Sequence, residues 1–175
     1  MQWHRIMNAK KIEEYLGKYL KHSYLKNPIV YCGNFALNTV LVYYVQEAEK
    51  SDISINVDVS IPNEVNISDS DLTVLFGNLL ENAIDACKNI EIEKRKIDLK
   101  IHKPNAEAIV FSIDNTFDGN IKMKGNRFLS TKENGSGIGI ESVKYVVNKY
   151  EGDIKIEINE NKFCVSGVLL QPPEI

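Results

Sequence analysis

Three polar side chains recur at helical spacing within a strongly apolar segment of the chain. Asn78, Asn82 and Asp85 stand at positions i, i+4 and i+7, which places them on one face of a helix. A single asparagine in such a position is most simply explained by a hydrogen bond to the backbone. Three polar groups on one face favour a binding function, because buried polar groups need partners. Amide oxygens suit Mg²⁺, which takes few protein ligands and keeps several waters.

A second polar segment, Asp114-Asn-Thr-Phe-Asp-Gly119, follows a predicted strand. A carboxylate at the end of that strand could accept a hydrogen bond from an exocyclic amine. Gly119 would let the backbone approach a flat ring, since it carries no side chain. Taken alone, the same residue types are typical of a turn.

A third segment contains three glycines at alternate positions, Gly135, Gly137 and Gly139, and opens a predicted helix. Such a segment exposes backbone amides, and a helix N-terminus favours anionic phosphates. The segment does not follow a strand directly and lacks Gly-Lys-Ser/Thr, which excludes the dinucleotide fingerprint and the P-loop. Lys132 precedes the glycines and could meet a terminal phosphate, although a lone loop lysine is more often simply solvated.

The hydrophobic pattern predicts the elements that must position these three segments. The predicted helices cover residues 12–20, 35–48, 69–89 and 138–150, and the predicted strands cover 53–59, 97–101, 108–113, 154–158 and 163–170. Helices and strands come in mixed order with two antiparallel hairpins, which predicts an α+β fold with one sheet covered on one face by helices. The polar connection over residues 116–134 is longer than ordinary loops and is typical of a functional segment.

The composition is that of an ordinary globular protein. The 175 residues are 43% hydrophobic and 26% charged, which excludes disordered and fibrous classes. A net charge of −3 and a pI near 5.7 give no basic surface for duplex nucleic acid, so we expect no nucleic-acid partner. Three cysteines without a Cys-x-x-Cys pair predict neither a zinc ribbon nor a disulfide framework. No apolar stretch approaches the roughly 18 residues that suggest a membrane span.

The order of the three polar segments resembles the N, G1 and G2 boxes of the GHKL ATP-binding superfamily, which includes gyrase, heat-shock chaperone, histidine kinase and MutL. The stretches NLLENAIDAC, IDNTFDG and FLSTKENGSGIGIESVKYVVNKYEG are most similar to the catalytic domains of AgrC-like sensor histidine kinases. The resemblance covers about residues 34–170. It implies a two-layer α/β sandwich of the Bergerat type, with a mixed, mostly antiparallel sheet, and it implies ATP and Mg²⁺ as ligands.

The resemblance also implies roles for the residues that match the first two boxes. Asn82 would hold Mg²⁺, and Asn78 would support the metal and the phosphates. Asp114 would accept from the adenine amino group, and Gly119 would line the adenine pocket. Asp85 matches the acidic position after the superfamily asparagine, and its role stays open.

In the third box, the resemblance assigns Lys132 and the amides of Gly135, Gly137 and Gly139 to a lid over the phosphates. Many sensor kinases carry a basic residue where Asp85 stands here, which gives Lys132 a larger share of phosphate neutralisation.

One position separates the branches of the superfamily. Hydrolysing members carry a glutamate one helical turn before the metal-binding asparagine, where it activates water. That position is Asn78 here, and an amide cannot act as a general base. Glu81 is adjacent to Asn82 in sequence and therefore points about 100° away from it. The resemblance thus implies transfer of the γ-phosphate to an acceptor other than water, with Asn78 and Lys132 as the catalytic side chains.

The leading hypothesis is the ATP-binding catalytic domain of a two-component sensor histidine kinase. Residues 28–175 would form that domain. Residues 1–27 resemble the remnant of the helical hairpin that dimerises and carries the acceptor histidine. We expect the acceptor upstream of this chain rather than at His4, and we expect a homodimer, a response regulator as partner, and a cytoplasmic location below a membrane anchor. A nucleotide-gated interaction module and an anti-sigma-factor-like serine kinase stay open as alternatives.

Overall fold

The computed structural model describes residues 29–120, 123–124, 127–128 and 138–171. The α-helices of this part of the chain are α1 (Phe35–Glu49), α2 (Asp69–Lys88) and α3 (Ile138–Lys149), with a 3₁₀ turn at Ile92–Lys94. The strands are β1 (Ser54–Ser60), β2 (Lys96–His102), β3 (Ala108–Thr116), β4 (Met123–Lys124), β5 (Arg127–Phe128), β6 (Asp153–Asn159) and β7 (Lys162–Leu170). The α+β class predicted from the sequence is confirmed.

Five strands form one mixed sheet in the order β1-β2-β3-β7-β6. Strands β1 and β2 run parallel, and the other neighbouring pairs run antiparallel. Helix α2 connects β1 to β2, which supplies the long crossover that parallel neighbours require. Strands β4 and β5 pair separately, inside the segment that the sequence predicts as a polar loop.

The helices cover one face of the sheet, as predicted. Strand residues that alternate along β2 and β3 are buried against the helices: Ile97, Leu99, Ile101, Ile109, Phe111 and Ile113. Helix α2 is central, because it packs on α1, α3 and β3. Its Phe76 ring meets the Phe111 ring edge to face at 5.6 Å between centroids. The apolar interior predicted for this helix is therefore the centre of the core.

The end of α3 differs from the prediction in one respect. The sequence predicts Gly152 as the glycine that terminates this helix, but the left-handed residue is Glu151, with φ of 48°. Gly152 is required for another reason, because a side chain there would overlap the backbone carbonyl of Val168. The glycine thus allows the end of α3 to lie directly against β7.

The predicted helix at residues 12–20 and the N-terminal segment 1–27 lie outside the described residues. Among the helices that the structure describes, none combines the length and the apolarity needed to cross a membrane.

Candidate functional site

The polar face of α2 predicted from the sequence lies at its contact with α3. Asn78 and Asn82 are both half-buried. The Nδ2 atom of Asn78 donates a 2.6 Å hydrogen bond to the carbonyl oxygen of Val74, one turn earlier in the same helix. This bond directs the amide nitrogen toward its own helix, so the acceptor Oδ1 is oriented toward α3.

The first turn of α3 lies directly against these amides. A first side-chain carbon at Gly139 would lie 3.0 Å from Asn82 Nδ2, 3.3 Å from Asn82 Oδ1 and 3.5 Å from Asn78 Oδ1. Only a residue without a side chain fits there without moving an amide. The structure therefore brings together three of the predicted site residues, Asn78, Asn82 and Gly139.

This arrangement suits an anion with a bound cation. The first backbone N–H groups of a helix have no partner within it, and its N-terminus carries a partial positive charge, so the start of α3 favours phosphate. The amide oxygens beside it are neutral, hard ligands of the kind that Mg²⁺ accepts alongside phosphate oxygens and water. The donor set at Asn82 and Asn78 thus fits a metal shared with phosphates.

Asp85 lies almost one turn beyond Asn82 in α2 and is half-buried. Its backbone carbonyl accepts a hydrogen bond from the side chain of Asn89, the C-cap residue, at 3.2 Å. A binding role for the Asp85 carboxylate stays a prediction.

The structure does not bring Asp114 to this group. Along β3, Ile113 and Asn115 are buried toward the helices, so Asp114 between them faces the opposite side of the sheet. There it lies directly opposite Cys164 in the antiparallel pairing of β3 with β7. Burial raises the pKa of the Cys164 thiol, and the Asp114 carboxylate raises it further. The sheet separates this pair from Asn78 and Asn82.

Asn115 instead faces the helices and is only 5% exposed. Its Nδ2 atom donates to the backbone carbonyl of Thr116 at 3.0 Å. Its cross-strand neighbours are Ile97 in β2 and Phe163 in β7. Asn115 is not among the residues singled out from the sequence, although its alternation with the buried residues two and four positions before it indicates the same face of the strand.

The chain beyond Asn115 forms an apolar wall. Phe117 is buried, and its backbone N–H donates to the carbonyl of Asn161 in the β6–β7 turn at 3.0 Å. The rings of Phe117 and Phe163 meet edge to face, with centroids 6.3 Å apart. Gly119 follows with φ of 78°, a conformation that favours glycine. Gly119, which the resemblance assigns to the adenine pocket, thus follows directly on this apolar wall.

Cys87, in the last turn of α2, fixes the end of β3. Its buried thiol lies 3.3 Å from the carbonyl oxygen of Thr116 and 3.5 Å from that of Lys96. Burial raises the pKa of this thiol, and the hydrogen bonds offset that effect only in part, so the group stays a neutral donor. The contact with Thr116 joins the end of β3, which carries Asn115, to α2, which carries Asn82.

The remaining predicted site residues, Lys132, Gly135 and Gly137, lie outside the described residues.

The comparisons with known proteins concern the family and the fold of this chain. A family model described as the GHKL domain matches residues 67–171, which is more than half of the chain. The chain is 25% identical over 133 residues to a probable C4-dicarboxylate sensor kinase of Bacillus subtilis, covering 71% of this chain and 24% of that protein. It is 27% identical over 112 residues to sporulation kinase C of the same organism, covering 61% of this chain and again 24% of the relative.

Solved structures show the same fold. The chain superposes on the mycobacterial sensor histidine kinase MprB with a TM-score of 0.60 at 21% identity, covering 79% of this chain and 95% of that one. It superposes on the catalytic domain of the histidine kinase ThkA with a TM-score of 0.59 at 18% identity, covering 78% and 90%. The chain spans about a quarter of the length of the Bacillus relatives. The match over residues 67–171 identifies this chain as a member of the GHKL domain family.

Proposed function

We propose that this chain is the ATP-binding catalytic domain of a two-component sensor histidine kinase, which transfers the γ-phosphate of ATP to a histidine. The observation that carries the proposal is the contact of Gly139, at the N-terminus of α3, with the amides of Asn82 and Asn78. Within a GHKL domain, that contact offers a helix N-terminus for phosphates and amide oxygens for a metal.

In this proposal Asn82 holds Mg²⁺ and Asn78 supports the metal and the phosphates. Bound Mg²⁺ would neutralise charge on the phosphates as the γ-phosphate departs. Gly139, together with Lys132, Gly135 and Gly137, would enclose the phosphates and exclude water. The roles of Lys132, Gly135 and Gly137 rest on the resemblance of this segment to the third box of the superfamily.

Transfer to a histidine, rather than to water, is favoured by the chemistry of Asn78. Its amide accepts no proton, and its Nδ2 atom is engaged with Val74, so it cannot activate water as a carboxylate would. ATP bound here would therefore persist until an acceptor arrives. We expect very slow hydrolysis in the isolated chain.

We assign recognition of the base to Asn115. It lies on the helix side of β3, beside the wall that Phe117 forms, whereas Asp114 lies on the other face. Because Nδ2 donates to the Thr116 carbonyl, the amide presents Oδ1 as an acceptor. An acceptor suits the exocyclic amine of adenine and opposes the carbonyl of guanine. The original assignment to Asp114 stays testable against this one.

The whole protein would act as a homodimer through a hairpin that would include residues 1–27, and a response regulator would receive the phosphate from the phosphorylated histidine. The sensor kinase among the relatives supports a signalling role of this kind. We also propose that the domain lies on the cytoplasmic side of a membrane anchor.

The test is an ATP titration by calorimetry, with and without Mg²⁺, of the wild type and Asn82→Ala. We expect Mg²⁺ to strengthen binding to the wild type and to have little effect on the variant. Asn148→Ala, at an exposed position of α3, is the matched control and should behave as wild type. Equal affinity in all conditions would refute the metal assignment, and fast phosphate release would refute transfer to a protein acceptor.

A further inference from the structure

Four residues form a polar cluster at the opposite end of the α2–α3 contact, the Asp71 cluster (Ser68, Asp71, Lys149 and Tyr150). The Oδ2 atom of buried Asp71 accepts from Lys149 Nζ at 2.6 Å, from Tyr150 OH at 2.7 Å and from Ser68 Oγ at 2.6 Å. Tyr150 OH in turn accepts from the Ser68 backbone N–H at 2.9 Å. Every member is thus joined to another by a short hydrogen bond.

The cluster is more than a helix cap. Ser68 is the N-cap of α2 and Asp71 is its N3 residue, the positions of a capping box. In a capping box the N3 side chain accepts from the N-cap N–H. Here that N–H donates to Tyr150 instead, and Asp71 accepts from Lys149. The start of α2 is therefore completed by the end of α3.

The two contacts define how α3 lies along α2. From Asp71 to Asn82 the helix rises about 16 Å, and from Gly139 to Lys149 it rises about 15 Å. The helices therefore run antiparallel, with the cluster at one end and the amide–glycine contact at the other. A shift of α3 along its axis would change both contacts together.

Between these ends the contact is apolar. Val143, Val146 and Val147 of α3 are fully buried in the core. Apolar burial is non-directional, so it restrains the axial position of α3 less specifically than hydrogen bonds do. Hydrogen bonds are directional and weaken steeply when their geometry is lost, so the Asp71 cluster adds a specific restraint on that position.

We propose that the Asp71 cluster is a positioning device, which holds the N-terminus of α3 against Asn82 and Asn78 and so sets the affinity for nucleotide phosphates. This inference rests on the proposed function. The cluster would touch neither the base nor the phosphates, so its loss should weaken phosphate binding and leave nucleoside binding unchanged.

The experiment compares Mg²⁺-ATP with adenosine as ligands of the 175-residue chain, by calorimetry well below the unfolding temperature. Asp71→Asn keeps the shape of the side chain and removes its charge. We expect it to weaken ATP binding about fivefold or more with unchanged adenosine binding, since positioning residues change coupling by such amounts. Lys149→Met should act in the same direction, and the two effects should be non-additive.

Two further variants keep the test decisive. Lys144→Met removes a lysine on the same helix that pairs only locally with Glu141, and it should leave both affinities unchanged. Tyr150→Phe removes a single hydroxyl, which gives a folded variant if Asp71→Asn unfolds. If the cluster variants have lower thermal stability but the same ratio of ATP to adenosine affinity as the wild type, this inference is wrong and the proposed function is unaffected. Failure of the wild type to bind ATP would overturn the proposed function and this inference with it.

Discussion

The two ends of the α2–α3 contact use polar side chains in opposite ways. In the Asp71 cluster the charged and hydroxyl groups satisfy one another at hydrogen-bond distances of 2.6–2.7 Å. At the other end, the amides of Asn82 and Asn78 face a glycine, with no side chain between them and the backbone. The first arrangement is complete within the protein. The second offers amides and a helix N-terminus together, which an anion and its metal would complete.

Strand β3 repeats this contrast across the two faces of the sheet. Asp114 lies opposite Cys164 of β7, on the face away from the helices. Asn115 lies one residue further on and faces the helices, beside the apolar wall at Phe117. Residue type alone would choose the carboxylate as the binding group, whereas the face on which each side chain lies favours the amide.

The largest change in nucleotide affinity should come from filling the space at Gly139 with a side chain. Gly139→Val places a branched side chain against the amide of Asn82, and overpacking of this kind costs about 1–3 kcal/mol. We expect Mg²⁺-ATP affinity to fall at least tenfold, because the amides and the helix end can no longer meet. Calorimetry measures it, with Asn148→Val as the matched change at an exposed position of α3. Unchanged affinity in Gly139→Val would remove this contact from the site.

At the other end of the helix pair, substitution in the Asp71 cluster should change the free energy of unfolding and its pH dependence. Burial alone would raise the pKa of the Asp71 carboxyl, but hydrogen bonds from Lys149, Ser68 and Tyr150 outweigh it and hold the pKa below its ordinary value. Asp71→Asn should lower the free energy of unfolding by about 1–3 kcal/mol at neutral pH, the usual contribution of hydrogen bonds to a charged group.

The sign of the pH dependence follows from the same shift. Because folding lowers the pKa of Asp71, its stabilisation is fully present above the unfolded value of about 3.9 and is lost as pH falls through the folded value. Folding raises the pKa of Lys149, chiefly through its hydrogen bond to Asp71, so this partner stays charged until strongly alkaline pH. Urea unfolding from pH 3 to pH 8 should show the difference between wild type and Asp71→Asn shrinking only below about pH 4. A constant difference down to pH 3 would contradict the role of the charge.

Local patterns predicted much of this molecule from the sequence. The polar face of α2 depends on spacing within one helix, and the hairpins depend on short alternating runs, so neither needs information from distant residues. The same reasoning gave Gly139 as the start of a helix suited to phosphate. It could not give the contact between Gly139 and Asn82, because that contact joins two helices far apart in sequence.

What local patterns left open has a physical cause as well. Asp114 and Asn115 are neighbours on one strand, so a difference of one residue decides which face of the sheet the side chain occupies. Ser68 and Asp71 read as ordinary helix caps in the sequence. Their partners Lys149 and Tyr150 stand about eighty positions later, beyond the reach of any local pattern.

A smaller effect should separate Asn115 from Asp114 as the group that recognises the base. Asn115→Ala should weaken ATP binding about fivefold and GTP binding little, since one hydrogen bond of about 1 kcal/mol is lost from a buried site. Asp114→Ala should leave both nucleotides as in the wild type. Competition titrations of the two nucleotides measure the ratio. The reverse result, with ATP weakened only by Asp114→Ala, would restore the carboxylate as the base-recognising group.

The smallest expected effect is a change in the reactivity of the Cys164 thiol, which lies on the face of the sheet away from the helices. Burial and the Asp114 carboxylate both raise the pKa of this thiol, so removing the carboxylate should lower the pKa and increase the thiolate fraction. Asp114→Asn should therefore react severalfold faster than wild type with an aromatic disulfide at pH 8. The other cysteines, Cys32 and Cys87, are buried and should react slowly in both proteins. Asp98→Asn is the matched control, because Asp98 is the cross-strand neighbour of Asp114 in β2 and pairs with Lys96 instead. An unchanged rate in Asp114→Asn would show that its carboxylate does not face Cys164, and the assignment of the base to Asn115 would lose its main structural argument.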